Sequence, residues 1–337
     1  MLNETAEKKT VPSYYKGLDG LRTIACIGII LMHMLSRDNN SYILPKGVEK
    51  VILSFTDFVF LFMAISAFGL CCGYYDRILS RQVDLVEFYK KRYMKVLPFF
   101  SLIVFIDVIV EFSREVVIEA LADVSLSFGL FPNNITVIGV AWYLGLVFAF
   151  YMIFPFYCVL MRSKKNAWMT FGISLVLNYM MDSYFGLSRQ NIVFSFCFFV
   201  LGGLIYLYKD KLKKIEPIMT IFLVVISVCL FFRIGSNTYT QLLLTFALMV
   251  FAISDLGGIL FQNIVFKFIS QISLELYLCH MVIFRGIERL KLNTRFGNGI
   301  VQYIVTISLV ISFSIIFIIV VKKIGEKLKC IMVQKKN

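Results

Sequence analysis

The sequence YKGLDGLRTIACIGIILMHM, residues Tyr15–Met34, places a carboxylate, a guanidinium and an imidazole within one apolar segment. Asp19 precedes Arg22 by three residues, and His33 follows Arg22 by eleven. Eleven residues of α-helix make roughly three turns plus about 20° and rise about 16.5 Å. The three side chains therefore lie on one face, where Asp19 can pair with Arg22 and His33 lies deeper along the helix.

Composition indicates the class of protein. Of the 337 residues, 59% are hydrophobic and only 16% are charged, and the mean hydropathy is +0.81. These values exclude an ordinary soluble domain and indicate an all-α polytopic membrane protein. We predict a single membrane domain over residues 1–337, in which 1–16 form a cytoplasmic N-terminal segment and 322–337 form a cytoplasmic basic tail.

Ten apolar runs approach the length of about 20 residues that a helix needs to cross a bilayer. An even number of spans places both termini on the same side of the membrane. The predicted spans are Leu18–Met34, Val51–Cys71, Val96–Val110, Val140–Leu160, Trp168–Tyr184, Ile192–Leu207, Pro217–Phe232, Thr240–Leu256, Phe268–Phe284 and Gly299–Val321.

The distribution of lysine and arginine predicts the orientation. Of the 34 basic residues, 23 fall in the connections that include both termini, whereas ten fall in the alternate connections. Cytoplasmic connections carry the excess of basic residues, so both termini are predicted to be cytoplasmic. The net charge of +13 is then largely a consequence of topology, which argues against a nucleic-acid partner.

The connection Glu111–Val137, predicted to lie on the outer side, is long and acidic. Its apolar residues recur at helical spacing and predict a short amphipathic helix on the outer surface. These residues are Val116, Val117, Ala120, Leu121 and Val124.

The motif GLDGLR, followed by an apolar run that ends in histidine with Arg-x10-His spacing, resembles the first helix of acyltransferase family 3. This family comprises bacterial membrane O-acyltransferases. The resemblance spans nearly the whole chain and weakens after the sixth span. It implies a multi-pass protein of the bacterial inner membrane that transfers an acetyl group from acetyl-CoA to a hydroxyl of a carbohydrate bound for the cell surface.

The segment Phe88–Phe100, FYKKRYMKVLPFF, is interpreted as the cytoplasmic connection into the third span. Its cations suit either positive-inside topology with attraction to anionic membrane lipid, or a polyanionic ligand. The segment resembles the family's Arg-x-x-Arg motif before a proline, which is associated with the acyl-CoA donor. Arg92 matches the first arginine, whereas Lys95 replaces the second and lacks its planar fork. The resemblance therefore supports a phosphate-binding role better for Arg92 than for Lys95.

The segment Phe60–Gly69, FLFMAISAFG, is similar to the family's FFxxSGF sequence, with Ser66 matched and Ala67 in place of glycine. A hydroxyl within a membrane helix usually bonds back to its own helix, so Ser66 is a weak candidate nucleophile. It is retained as a candidate for substrate binding.

The segment Ile269–Phe284, ISQISLELYLCHMVIF, resembles the family's late SYxxYLxH helix. Glu275 and His280 lie about 140° apart around that helix, so they need not touch. A buried carboxylate in a span faces a partner or a wet cavity, which makes Glu275 a catalytic candidate. His280 is either a substrate-binding residue or a core histidine that bridges helices.

Trp142, with Tyr143, Leu144, Tyr151 and Pro155, matches a WxL…Y…P pattern of the family. It is either an aromatic residue of the membrane interface or a substrate contact. In the sixth span, Gly202 and Gly203 favour close contact between helices.

Acyl transfer from a thioester to a hydroxyl needs a base near neutral pH, and His33 is the first choice. Asp19, Arg22 and Glu275 are the other catalytic candidates, while Arg22, Arg92 and Lys95 are expected to hold the acyl-CoA phosphates. This hypothesis requires Arg22 and His33 to share one cavity. Whether His33 acts as a base or carries the acyl group stays open.

No metal is expected, because the eight cysteines lie mostly in apolar runs without CxxC spacing. A secondary transporter or flippase for a lipid-linked sugar is the competing interpretation, since buried charged residues also serve carriers. A catalytically silent scaffold or sensor is a third. The acceptor is a carbohydrate or lipid-linked sugar, and oligomeric state is not predicted.

Overall fold

The computed structural model describes residues 14–36, 42–110, 112–126 and 139–334. These ranges form α-helices joined by short turns, and they contain no strand. The helices are α1 Lys16–Ser36, α2 Lys46–Ser54, α3 Phe58–Leu79, α4 Leu85–Val110, α5 Arg114–Val124, α6 Trp142–Leu160, α7 Lys164–Ser183, α8 Ile192–Leu212, α9 Pro217–Ile234, α10 Thr238–Ile253, α11 Asp255–Leu260, α12 Ile264–Arg289 and α13 Ile300–Gln334. The chain is thus an all-α polytopic membrane protein.

Each of the ten predicted spans coincides with a helix. Within the described ranges, eight helical segments are long and apolar enough to cross a membrane, one of them being α2 and α3 taken together as Lys46–Leu79. The two predicted spans outside this set are α7, and α10, which is a shorter apolar helix of 16 residues. The number of ten crossings, like the cytoplasmic position of the termini, stays a prediction.

Contacts among the connections bring alternate helix ends together. At one face Lys213 pairs with Asp255 at 3.3 Å, and Tyr75 donates a hydrogen bond to the carbonyl of Met161 at 2.7 Å. These contacts join the connections predicted to be cytoplasmic. The predicted segment 1–16 lies largely outside the described residues, as do the last three residues of the tail 322–337.

Glycines allow the closest helix contacts. A Cβ atom on Gly202 of α8 would lie 2.2 Å from the carbonyl oxygen of Ala64 in α3, and one on Gly17 of α1 would lie 1.8 Å from that of Ala252 in α10. Any side chain at these positions would force the backbones apart. The predicted close contact at Gly202 is therefore confirmed, and α8 packs directly on α3.

Helix α4 begins at Leu85, so the predicted connection is helical from there on and continuous with the third span. Lys91 and Glu87 lie one helical turn apart and form an ion pair at 2.7 Å, which stabilises this part of the helix. Pro98 is accommodated inside α4. Proline has no backbone N–H to donate, so one hydrogen bond of the helix is lost, at one turn only. Long basic side chains can reach the membrane surface from a helix. Arg92 and Lys95 thus start from a rigid element.

The helix predicted within the acidic connection is confirmed as α5, while its position on the outer surface stays a prediction. Ser113 caps it by accepting a hydrogen bond from the Val116 amide at 3.2 Å. Such a cap satisfies one of the amide groups left open at a helix start. Glu111 and residues 127–137 of the same connection lie outside the described residues.

Candidate functional site

The chain's two histidines form a hydrogen-bonded pair between α1 and α12. His33 Nδ1 lies 2.9 Å from His280 Nε2, the ring planes differ by 7°, and the centroids are 5.1 Å apart. The distance between the centroids nearly equals the N–N distance plus the distance from each ring centroid to its bonded nitrogen, so these four points lie almost on one line. The rings therefore meet edge to edge in nearly one plane, as an N–H···N hydrogen bond requires.

A backbone carbonyl assigns the proton positions in the neutral pair. His280 Nδ1 lies 2.6 Å from the carbonyl oxygen of Tyr277, and a carbonyl oxygen only accepts, so Nδ1 carries the proton. In neutral His280 the other nitrogen, Nε2, then accepts a hydrogen bond from Nδ1–H of His33. The basic lone pair of His33 is consequently on Nε2, which has the arrangement of an oriented general base.

Helices α1 and α12 run parallel and are held in register along their length. Thr23 donates to the carbonyl of Phe266 at 3.0 Å, and Cys26 donates to that of Ser273 at 3.4 Å. These bonds bring His280 level with His33. The sequence holds a signal for this face, because Ser270, Ser273, Tyr277 and His280 recur at spacings of three and four residues, but we interpreted only His280 from it.

Asp19 anchors the other end of the same helix pair. It is 8% exposed, accepts a hydrogen bond from Ser270 at 2.8 Å, and accepts another from Tyr14. That bond, the largest cause, raises the pKa of Tyr14 to about 12. Arg22 lies 3.7 Å from Asp19, in the predicted pairing. This distance is long for a hydrogen bond, so Asp19 chiefly ties α12 and the chain before α1 together.

Next to this anchor lies a cavity of about 180 Å³ between α1, α3, α4, α6 and α12. Four residues singled out from the sequence line it: Arg22, Lys95, Ser66 and Glu275. Lys95 interacts electrostatically with both Arg22 and Glu275. Further polar lining residues are Tyr143, Tyr151, Ser270, Gln271, Ser273 and Tyr277. Two cations and several hydroxyl groups thus converge on one space, as a phosphate-bearing ligand requires.

The lining does not extend to the histidines. Its last residue along α12 is Tyr277, and His280 follows three residues later, about 4.5 Å of helix rise further on. The rings of Tyr277 and His280 are 5.9 Å apart, while Tyr143 packs against Tyr277 at 5.7 Å. The expectation that Arg22 and His33 share one continuous cavity is therefore not met in this conformation, because these tyrosines lie between them.

Glu275 and His280 diverge, as their separation around the helix predicts. Glu275 pairs at 2.8 Å with Lys322 in the second half of α13, whereas His280 lies against His33. Lys322, which we assigned only to the basic tail, thus adds a third cation beside the cavity. Ser66 also makes a contact across helices, with its hydroxyl 3.4 Å from that of Tyr151.

Of the two cations on α4 that are expected to hold phosphate, Lys95 lines the cavity and Arg92 does not. Arg92 packs over the rings of Tyr74, Phe88 and Tyr151, at 4.9, 5.6 and 5.7 Å from their centroids. Its Nε atom is buried and has no hydrogen-bond partner among the described residues. Lys95, not Arg92, lines the cavity, and Arg92 lies one aromatic layer behind it at Tyr151.

Trp142 lies near the opposite face of the bundle and is covered by a residue that sequence analysis used only for topology. The guanidinium of Arg189 is 5.6 Å from the Trp142 ring and also bonds to Thr56. Trp142 in turn packs against Tyr143 at 6.2 Å. An aromatic path therefore runs from Arg189 through Trp142 and Tyr143 towards the histidine pair.

Within the described ranges, no group of three or more His, Cys, Asp or Glu side chains is placed to hold a metal ion. The cysteines described there are free thiols, and most are buried.

Comparison with known proteins supplies an independent result. A family model described as an acyltransferase domain, that of acyltransferase family 3, matches residues 15–320. The relatives matched include O-acetyltransferase OatA of Staphylococcus aureus strains NCTC 8325, COL and MRSA252, each 32% identical over 119 residues. That alignment covers 35% of this chain and 18% of each relative. No solved structure was found to match the chain.

Proposed function

The chain belongs to the acyltransferase 3 family of membrane proteins, and we propose that it is an O-acyltransferase that moves an acetyl group from acetyl-CoA to a carbohydrate hydroxyl. The observation that carries this proposal is the oriented pair His33–His280 beside a cavity lined by Arg22 and Lys95. The chain spans about one-fifth of the length of the curated relatives that it matches, so the donor, the acceptor and the activity are all part of this proposal.

Arg22 and Lys95 are the proposed contacts of the coenzyme A phosphates, with Lys322 nearby. The cavity of about 180 Å³ is smaller than the roughly 300–1,000 Å³ of sites that enclose a drug-sized ligand. It therefore suits the narrow pantetheine arm, while the nucleotide stays at the mouth among the cations. The rise of about 16.5 Å from Arg22 to His33 is comparable to the length of that arm.

Arg92 has a supporting role in this proposal. Its guanidinium lies on three aromatic rings, an arrangement that holds a cation by attraction to the ring faces. From there its charge acts on the phosphates at a distance and holds Tyr151 at the cavity wall. The direct contact expected from the motif passes to Lys95.

His33 Nε2 is the proposed general base. It takes the proton of the acceptor hydroxyl as the hydroxyl oxygen attacks the thioester carbonyl. His280 Nε2 accepts from His33 Nδ1–H and stabilises the cation that forms. Collapse of the intermediate breaks the carbon–sulfur bond, and the proton passes from His33 to the leaving thiolate. The products are the O-acetyl ester and free coenzyme A. For the thioester to reach His33, the side chains of Tyr143 and Tyr277 must move aside.

The test uses the purified full chain in lipid nanodiscs with acetyl-CoA carrying a labelled acetyl group. The acceptor is envelope polysaccharide whose esters have been removed by mild alkali. We expect acceptor-dependent release of coenzyme A and an alkali-labile label on the polysaccharide. His33→Ala should abolish both, whereas Ser308→Ala, on an exposed position of α13, should retain both. No release with any acceptor would overturn the proposal and favour a carrier for lipid-linked sugar.

A further inference from the structure

A second and larger opening lies between α7, α8 and α10. This groove has a volume of about 690 Å³, within the range of roughly 300–1,000 Å³ that encloses small molecules. Its walls are almost entirely apolar and include Phe171, Leu204 and Leu243. The apolar walls offer water few hydrogen bonds, whereas a hydrocarbon chain in this space buries its apolar surface.

The groove is separate from the cavity lined by Arg22. Leu204 of α8 lines the groove, whereas Gly202 of the same helix presses on Ala64 of α3. Helix α8 therefore stands as a wall between the two spaces. An occupant of the groove does not reach the histidine pair, so the groove needs an explanation other than acyl transfer.

One end of the groove has the chemistry of a membrane interface. Trp168 Nε1 donates to Tyr208 Oη at 3.1 Å, and both residues line the groove. Lys164 Nζ lies 4.9 Å from the centroid of the Tyr208 ring, and Lys211 is itself a lining residue. Tryptophan, tyrosine and lysine together mark the level of the lipid headgroups on the basic side of a membrane.

Two other lysines near this end of the groove have a carboxylate close by. Lys213 pairs with Asp255 at 3.3 Å, and Lys209 lies 4.0 Å from Asp210. In the described part of the chain, neither Lys164 nor Lys211 has a carboxylate within 4.0 Å. Two uncompensated positive charges therefore flank the end of an apolar groove.

We propose that the groove binds one acyl chain of an anionic phospholipid, with the headgroup phosphate between Lys164 and Lys211. The lipid comes from the leaflet on the lysine-rich side, which the sequence predicts to be cytoplasmic. A zwitterionic lipid also offers an acyl chain, but the positive charge in its headgroup is repelled by the two lysines. The charge at the groove end thus selects the anionic class.

The test exploits the presence of only two tryptophans in the chain. Trp142→Phe leaves Trp168 as the only tryptophan. The purified variant, stripped of lipid in detergent, is titrated with phosphatidylglycerol or phosphatidylcholine that carries the same brominated chains, which quench tryptophan fluorescence on contact. We expect both lipids to quench saturably, with half-maximal quenching by phosphatidylglycerol at a concentration at least about fivefold lower than by phosphatidylcholine. Lys164→Gln and Lys211→Gln should each reduce that preference by about fivefold.

Three control variants keep the result interpretable. Lys165→Gln removes a neighbouring charge and should leave the preference unchanged. Leu243→Phe narrows the groove and should weaken quenching by both lipids. Trp168→Phe, which keeps Trp142, should lose the saturable phase. Equal quenching by the two lipids, unaffected by the lysine variants, would overturn the proposal, as would full quenching in the Leu243→Phe protein. Size-exclusion profiles of all variants establish that they are folded.

Discussion

The cavity lined by Arg22 and the groove beside Trp168 show that the volume of a space between membrane helices does not predict how many polar groups line it. The groove is almost four times larger, at about 690 Å³ against about 180 Å³. Yet the small cavity gathers two cations, a carboxylate and several hydroxyls, whereas Lys211 is the one charged residue among those that line the groove. Converging polar groups are costly inside a membrane, so their presence marks the site of chemistry.

The difference has a structural basis in how the helices are held. Around the cavity, Asp19 ties α1 to α12 through Ser270, and the register of the two helices brings His33 to His280. The groove is lined by residues that meet lipid or apolar neighbours without such bonds across helices, except at Trp168 and Tyr208. Reaction geometry needs hydrogen-bonded positioning, and an acyl chain does not.

The largest expected effect comes from removing the proposed base. His33→Ala should lower acetyl transfer by about 10²–10⁴-fold, the contribution typical of general acid–base catalysis. The measurement is coenzyme A release under acceptor saturation, with protein amount normalised by size-exclusion chromatography. Transfer within twofold of the parent would place the chemistry elsewhere and remove the main contrast between the cavity and the groove.

Replacement of His280 tests whether it acts by orienting His33. His280→Leu removes the acceptor for His33 Nδ1–H and should lower turnover by about tenfold to a hundredfold. His280→Gln offers a side-chain oxygen in its place and should recover part of that loss. If both variants lose the same activity while their folding is intact, a purely structural role for His280 is the better account.

The cations of the cavity should affect donor binding. Arg22→Gln and Lys95→Gln are each expected to raise KM for acetyl-CoA about tenfold, since each removes a charge-assisted contact. Lys95→Arg keeps the charge and should stay close to the parent. Lys165→Gln serves as the matched surface control. An effect on acceptor KM alone would contradict the assignment of these residues to the donor.

The wall between the two spaces can be tested through Gly202. A Cβ atom there would lie 2.2 Å from the Ala64 carbonyl, so Gly202→Ala should destabilise the protein by about 1–3 kcal/mol. Gly73→Ala, at a helical position with no atom within 4 Å of the added carbon, is the control and should not destabilise. Thermal unfolding in detergent compares the two. Equal stability would mean that α3 and α8 are less closely packed than described.

The smallest effect is expected at the groove. Lys211→Gln should change acetyl transfer by less than about twofold, because α8 separates this lysine from the cavity and its charge is screened at the surface. Assays at low and physiological salt in the same nanodiscs measure the change. A loss comparable to that of Lys95→Gln would show that groove and cavity are coupled.

Properties that repeat along the chain could be predicted from the sequence. The helical class, the helices that overlap the ten predicted spans and the pairing of Asp19 with Arg22 follow from hydropathy and from the period of 3.6 residues. The divergence of Glu275 from His280 follows from the same period. The start of α4 at Leu85 was missed, because charged residues at a helix end interrupt the apolar pattern without interrupting the helix.

Contacts between helices were decided by tertiary structure. His33 meets His280 across 247 positions of sequence, Lys322 reaches Glu275, and Lys95 lines the cavity whereas Arg92 does not. Period and hydropathy describe one helix at a time, whereas these contacts depend on which faces pack and in what register. Close glycine contacts and a few buried hydrogen bonds set that register, and only the folded chain brings them together.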